Sequence, residues 1–210
     1  LYNCHVIDGL KMLDSNSCHC VITSPPYWSI RQFGTCPQIW GGKDNCNHKW
    51  KADNLCFLCG AWEGELGGEP NVKIFIRNLV IVFREVKRVL REDGILWVNI
   101  GDKYEGSDLC LIPQRLAIAL QEDGWYVRSE FIWVKSNLLP DGRAKSRFCN
   151  SHEWILQLTK SDKYYFDPYQ VLKKNDNELY HFMKVTEFYV DSINENVEAL
   201  ELYLSHLKIL

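Results

Sequence analysis

The sequence predicts an α/β fold, a mainly parallel sheet with helices in its crossovers and one small cysteine-rich insertion. Three stretches carry that reading. The apolar run Cys18-His19-Cys20-Val21-Ile22 stops abruptly at Thr23-Ser24-Pro25-Pro26, as a buried strand does at its carboxyl end. Val72, Phe75, Ile76, Leu79, Val82, Phe83, Val86, Val89 and Leu90 recur at helical spacing, and Ile95–Ile100 is then strand-like, which is the order of a parallel crossover. Between them, residues 35–70 hold four cysteines, a histidine and three tryptophans.

Taken in order, Leu1–Ile7 reads as a short first strand, Gly9–Leu13 as a short helix and Asp14–Ser17 as a turn leading into the Ser24 strand. The helix from Asn71 to Arg91 is expected to end at Asp93-Gly94. The strand Ile95–Ile100 finishes in Gly101-Asp102-Lys103-Tyr104, so both strand ends should open on one edge, where open sheets bind ligands. Asp102 and Tyr104 would then stand beside Ser24, or else cap the next turn. The pattern repeats once: a helix over Leu109–Leu120 with Pro113 in its first turn, an end at Gly124, and a strand over Trp125–Lys135. Ser136–Asn150 is a polar, basic loop, and His152–Lys160 with Tyr164–Asp167 reads as a hairpin. Val197, Leu200, Leu202, Leu204 and Leu207 give the tail a helical pattern suited to packing or dimerisation. The expected organisation is a main domain of residues 1–34 and 71–170, an insertion at 35–70 and a helical tail at 171–210.

The chain has 210 residues, 46% of them hydrophobic and 13% aromatic, enough for one good core. No run is long and apolar enough to span a membrane, and no signal peptide is visible. With a formal net charge of -3, any surface for nucleic acid must be a local patch; Arg31, Lys43, Lys49, Arg143, Lys145 and Arg147 are the candidates, against the plain alternative of solvated charges. Cys4, Cys18, Cys20, Cys110 and Cys149 are scattered through segments expected to be buried, the usage of a cytosolic protein with reduced thiols.

Within the insertion, Cys46-Asn47-His48 and Cys56-Phe57-Leu58-Cys59-Gly60 form two close pairs of soft ligands. Cys46, His48, Cys56 and Cys59 can enclose one tetrahedral zinc, with Gly60 allowing the tight turn. Four ligands without an open position argue for a structural ion, with Cys36 as a spare. A redox C-x-x-C is disfavoured because no helix starts there to lower a thiol pKa.

The chemistry centres on Ser24-Pro25-Pro26-Tyr27. Prolines donate no N–H and fix φ, so this corner presents carbonyl oxygens stiffly beside the Ser24 hydroxyl, a set suited to holding an amino group by its hydrogens. Tyr27 adds a ring on which a planar base could stack. The bland alternative is a turn closing a strand, with Tyr27 and Trp28 in the core. The corner resembles the [S/D/N]-P-P-[Y/F/W] motif of the amino-methylating DNA methyltransferases, and its serine form is similar to their cytosine-N4 branch. The likeness extends to Asn3–Leu13 upstream, to Tyr27–Gly34 downstream, and to Cys59-Gly60-Ala61-Trp62 followed by Leu66-Gly67-Gly68-Glu69-Pro70, and it runs to about Pro168.

That resemblance implies a Rossmann-like methyltransferase sheet carrying a small zinc-binding insertion, and a site-specific enzyme of restriction-modification systems in a bacterial or phage-infected cytoplasm. It implies S-adenosylmethionine as methyl donor and double-stranded DNA with a flipped target base as partner. The methyl would pass directly, in line, to the exocyclic N4 of cytosine while Ser24 and the Pro25 carbonyl accept the amine's N–H bonds. Adenine-N6 is the rival acceptor. His5, Asp8 and Asp102 would lie near the cofactor, with His5 and Asp8 as plain loop polar residues the alternative; Ser151-His152-Glu153 would shape the base pocket or serve as structural hydrogen-bonding groups, and the loop over residues 137–147 would face DNA. Relatives place an Asp-Pro-Phe-x-Gly-x-Gly turn after the hairpin, whereas Val171–Leu210 contains no glycine. The cofactor half is therefore expected from residues outside this sequence, from a second subunit or homodimer, or else the chain is a silent DNA-binding or assembly subunit.

Overall fold

In the computed structural model, residues 3–31, 33–136, 147 and 150–167 are described. The elements follow as α1 (Val6–Lys11), β1 (Cys18–Thr23), β2 (Gln38–Trp40), β3 (Trp62–Gly64), α2 (Val72–Val89), β4 (Leu90–Ile100), β5 (Tyr104–Glu105), β6 (Asp108–Leu109), α3 (Ile112–Glu122), β7 (Tyr126–Val134) and β8 (His152–Thr159). The chain divides into two units, Leu1–Tyr165 and Phe166–Leu210. The expected tail helix and most of the basic loop, with Arg143, Lys145 and Cys149, lie outside the described residues.

Among the described residues four strands build the main sheet in the order β1-β4-β8-β7, and because β4–β8 and β8–β7 pair antiparallel the sheet is mixed, not mainly parallel as the strand–helix–strand order predicts. β1 and β4 run parallel, with Val21 opposite Leu96 and Thr23 opposite Val98, as the crossover through α2 requires. The core lies on one face. Leu96, Val98 and Ile100 of β4 alternate inward with Leu156 and Leu158 of β8, against Phe75, Leu79, Phe83 and Val86 of α2 and Leu116 and Leu120 of α3. Asn71 caps α2, its side chain accepting from the Ile74 N–H at 3.1 Å. The opposite face carries Ile22, which is 80% exposed, and Trp97 packed on Phe131 at 5.6 Å.

Four further expectations are corrected. No strand forms at residues 3–5; His5 is extended and α1 begins at Val6, because Ile7 and Leu10, one helical turn apart, share the face that packs on Trp40 and Val82. α2 does not end at Asp93-Gly94 but at Val89, passing straight into β4. The Arg88 and Val89 carbonyls are capped from outside by the Asn16 and Ser17 N–H groups at 3.0 and 2.9 Å. The Asp93-Gly94 signal is instead a bulge, the register passing from Cys18 opposite Leu90 to Cys20 opposite Ile95. Nor is the hairpin within residues 152–167: β8 lies between β4 and β7, antiparallel to both, while residues 163–167 form no strand and the Tyr165 N–H bonds back to Asp93 O at 3.0 Å. Finally, Cys4 and Cys20 are exposed, and of the scattered described cysteines Cys110 alone is buried.

The insertion folds on itself. β2 pairs antiparallel with β3, and Trp40 and Trp62 pack with Val82 on the outer side of α2. Lys51 N–H to Leu55 O, Phe57 N–H to Lys49 O and Cys56 N–H to Ala61 O, at 2.9, 3.1 and 2.7 Å, close the loop that carries the ligand pairs.

Candidate active site and cysteine–histidine cluster

The carboxyl ends of β1 and β4 open on the same edge, as expected, onto a cleft of about 1370 Å³. Ser24, Pro25, Pro26 and Tyr27 all line it, with Gly101 and Asp102 from the end of β4 and Lys135 and Glu153 from β7–β8. Pro25 and Trp28 are buried, Tyr27 is half-buried and Ser24 is exposed to the cleft.

Tyr27 is held by its tip. Its hydroxyl donates to Glu153 Oε2 at 2.6 Å and lies 2.8 Å from Asn99 Oδ1. Ser24 Oγ stands 3.4 Å from Asn99 Oδ1 and 3.5 Å from the Tyr27 hydroxyl. The other oxygen of Glu153 accepts from Lys135 Nζ at 2.9 Å. Burial, reinforced by the Glu153 carboxylate, pushes the Tyr27 phenol up to about 12, so it is a neutral donor at physiological pH. Burial alone would raise Glu153, but the Tyr27 and Lys135 bonds outweigh it and hold its carboxyl below the usual range. Gly101 lets the ring lie across the end of β4, since a Cβ there would stand 2.8 Å from Tyr27 Cε2.

Asp102 lines the cleft, yet its Oδ1 is spent on the Lys103 and Ile112 N–H groups at 2.8 and 3.1 Å, capping the start of α3. Tyr104 lies in β5 with the Arg147 guanidinium 3.7 Å over its ring. His5 also lines the cleft; its ring packs on Trp40 at 5.0 Å, and its buried Nε2 has no partner. Asp8 is exposed in the first turn of α1, outside the cleft lining. Of the basic candidates, Arg31 lines the cleft, while Lys43 and Lys49 are exposed on the insertion. Asn99, Gly101 and Lys135 also belong to the site, although nothing in their local sequence marks them. Asn99 sits in an apolar strand run and Lys135 at a strand end, and only the strand order brings them to Tyr27.

In the insertion, the ligand atoms of Cys46, His48, Cys56 and Cys59 all lie within 4.8 Å of one another. Cys46 Sγ and Cys56 Sγ are 3.9 Å apart, and Cys59 Sγ is 3.4 Å from His48 Nδ1. Zinc bonds of about 2.3 Å to sulfur and 2.0–2.1 Å to nitrogen set tetrahedral edges of roughly 3.8 and 3.5 Å, so the donor set and its spacing fit that ion. Burial alone would raise the Cys56 thiol, but the His48 ring and the Lys49, Leu58 and Cys59 backbone groups bring it down to about 6. Cys36 is exposed and apart from the four. Gly60 adopts φ 73°, and its N–H bonds to Cys56 O at 2.8 Å, the tight turn its position called for.

A family model described as DNA methylase, N6_N4_Mtase, matches residues 18–197, further along the chain than Pro168. The type II methyltransferase M.Cfr9I of Citrobacter freundii is 36% identical over 206 residues, covering 84% of this chain and 59% of its own. M.SmaI of Serratia marcescens is 35% identical over 201 residues, covering 80% and 59%. The chain thus spans somewhat over half the length of these curated relatives. Among solved structures, the cytosine-N4-specific PvuII DNA methyltransferase superposes with a TM-score of 0.56 at 18% identity, covering 81% of this chain and 52% of that one. TTHA0409 of Thermus thermophilus, complexed with S-adenosyl-L-methionine, gives 0.51 at 20% identity, covering 84% and 62%. At these identities the two structures bear on the fold, which is that of an α/β methyltransferase.

Proposed function

Because the chain belongs to the DNA methylase family of amino-methyltransferases, we propose that it is the base-gripping part of a DNA methyltransferase acting on the exocyclic N4 of cytosine. The observation that carries this reading is the Ser24-Pro25-Pro26-Tyr27 corner, which faces an open cleft with its tyrosine anchored from behind. Ser24 Oγ and the Pro25 carbonyl accept the two N–H bonds of the amine. That draws the nitrogen lone pair out of conjugation with the ring and aims it into the cleft. Tyr27, fixed by Glu153, offers its ring as the surface for the flipped base, and the Lys135 bond to the other Glu153 oxygen keeps that anchor from swinging. Orientation does most of the work, so no strong base is required.

S-adenosylmethionine supplies the electrophilic methyl when bound. His5, whose buried Nε2 lacks a partner, and Asp102 are the cleft groups that would meet it; Asp8 is exposed beyond the lining. Cys46, His48, Cys56 and Cys59 would hold one structural zinc, whose bonds would tie the two ligand pairs of the insertion together.

Ser24 in place of Asp or Asn favours cytosine over adenine. Incubation with radiolabelled S-adenosylmethionine and DNA, together with any subunit that completes the cofactor half, followed by nucleoside analysis, is expected to yield N4-methylcytosine. N6-methyladenine as the sole product would replace cytosine by adenine, and no methylated nucleoside would overturn the reading.

A further inference from the structure

The turn Leu66-Gly67-Gly68-Glu69-Pro70 belongs neither to the corner nor to the ligand set, yet Glu69 is only 4% exposed. A charged side chain buried that deeply must be fully bonded. Its bonds lead in two directions. Oε1 accepts from Asn78 Nδ2 at 3.0 Å, and Oε2 from the Gly67 N–H at 2.9 Å. On the far side of Asn78, which is 0% exposed, its Oδ1 accepts from Arg77 Nε and Nη2 at 3.3 and 3.2 Å, while Arg77 Nη1 donates to Gly60 O at 2.7 Å. Gly60 follows the ligand Cys59 directly. On the near side, Gly67 O accepts from the Ser29 N–H at 2.6 Å, and the Glu69 carbonyl accepts from Trp28 Nε1 at 2.8 Å. Gly67 also lies against the corner itself, since a Cβ there would stand 3.1 Å from Pro26 Cβ.

We propose that Glu69 is a positioning residue that couples the cysteine–histidine cluster to the Pro25-Pro26-Tyr27-Trp28 corner, so that the corner stays rigid only while the cluster holds its ion. The proposal rests on the metal reading above and is independent of the methyl-transfer reading. The bonds between Gly60 and Ser29 pass through one buried carboxylate and one buried amide. Losing either end leaves a polar group unpaired away from water, and the chain of bonds therefore loosens as a unit. Glu65 reinforces the same connection by accepting the Phe33 and Gly34 N–H groups at 2.7 and 3.1 Å from the turn that follows β3.

The test is hydrogen exchange by mass spectrometry on the whole chain loaded with zinc alone, with and without a chelator, read at the peptide spanning residues 26–31. Chelation is expected to speed exchange there about tenfold, the loss of a buried hydrogen-bonded anchor. In Glu69→Gln, where an amide NH2 faces one of two donors, exchange should be fast already and indifferent to chelation. Adding Asn78→Asp to that variant lets position 78 accept from the new amide and from Arg77 together, which should restore both the slow exchange and its response. A role confined to filling space would not be rescued by that swap. Chelation that alters exchange only within 36–62, or a Glu69→Gln chain that responds as the parent does, overturns the coupling while leaving the metal reading intact. A chain that takes up no zinc overturns both. If Glu69→Gln fails to fold, the chelation arm on the parent chain decides alone.

Discussion

Gly101→Ala tests the geometry of the corner most directly. The glycine does not have positive φ, so alanine suits its backbone and would by itself stabilise by about 0.4–1 kcal/mol through the unfolded chain. The added methyl, however, would meet Tyr27 Cε2 at 2.8 Å, Cδ2 at 3.2 Å and Cζ at 3.6 Å. Ordinary carbon contact begins near 3.5 Å, so the ring must retreat by roughly 0.7 Å. That shift strains the 2.6 Å bond to Glu153. Overpacking costs of about 1–3 kcal/mol less the backbone gain leave a net loss between about 0 and 2.6 kcal/mol, centred near 1.3 kcal/mol. In urea unfolding followed by circular dichroism, Gly101→Ala should lower the stability of the parent chain by that amount. In a Tyr27→Ala background, where the space is vacant, the same substitution should be neutral or stabilising. Equal destabilisation in both backgrounds would show that Tyr27 does not lie across Gly101, and the corner would have to be rebuilt.

Further expectations follow from the same contacts. Glu153 has its folded pKa depressed, so its contribution is present above the ordinary glutamate range and is lost as pH falls through the folded value; urea midpoints between about pH 6 and 3 should fall more steeply for the parent than for Glu153→Gln. Ser24→Ala should reduce methyl transfer by roughly tenfold to a hundredfold, about one charge-assisted hydrogen bond, while the thermal midpoint stays within about 2 °C. Elemental analysis should find one zinc per chain, with Cys59→Ser losing it and Cys36→Ser keeping it.

Much of the frame was legible from local pattern. The Pro-Pro stop after β1, the period of α2 and Pro113 at the head of α3 each encode a local event, and each element forms, although α2 stops at Val89 and α3 starts at Ile112 because Leu109 pairs in β6. The paired spacings of the insertion were equally local, since a C-x-x-C knuckle closes through its own backbone. What was hidden is set by strand order. Nothing near His152 indicates that β8 will slide between β4 and β7, and only that placement brings Glu153 to Tyr27. The Asp93-Gly94 signal was real but ambiguous, because a turn and a bulge ask for the same residues. Glu69 stands in the sequence as part of a motif without a role, because a carboxylate's burial is not written in its neighbours.

The contacts that close the insertion are nearly all internal to it: the β2–β3 pairing, the Lys51–Leu55 and Phe57–Lys49 bonds and the Cys56–Ala61 bond. Its moorings to the rest gather at its carboxyl end and on α2: Glu65 on Phe33 and Gly34, Gly67 on Ser29, Glu69 on Asn78 and Trp28, Arg77 on Gly60, and the tryptophan pair against Val82. A module built this way can lengthen, shrink or be exchanged between homologous chains without disturbing the sheet, provided the moorings survive. Whatever that surface contacts can then diverge only as far as those moorings, and the corner they brace, allow.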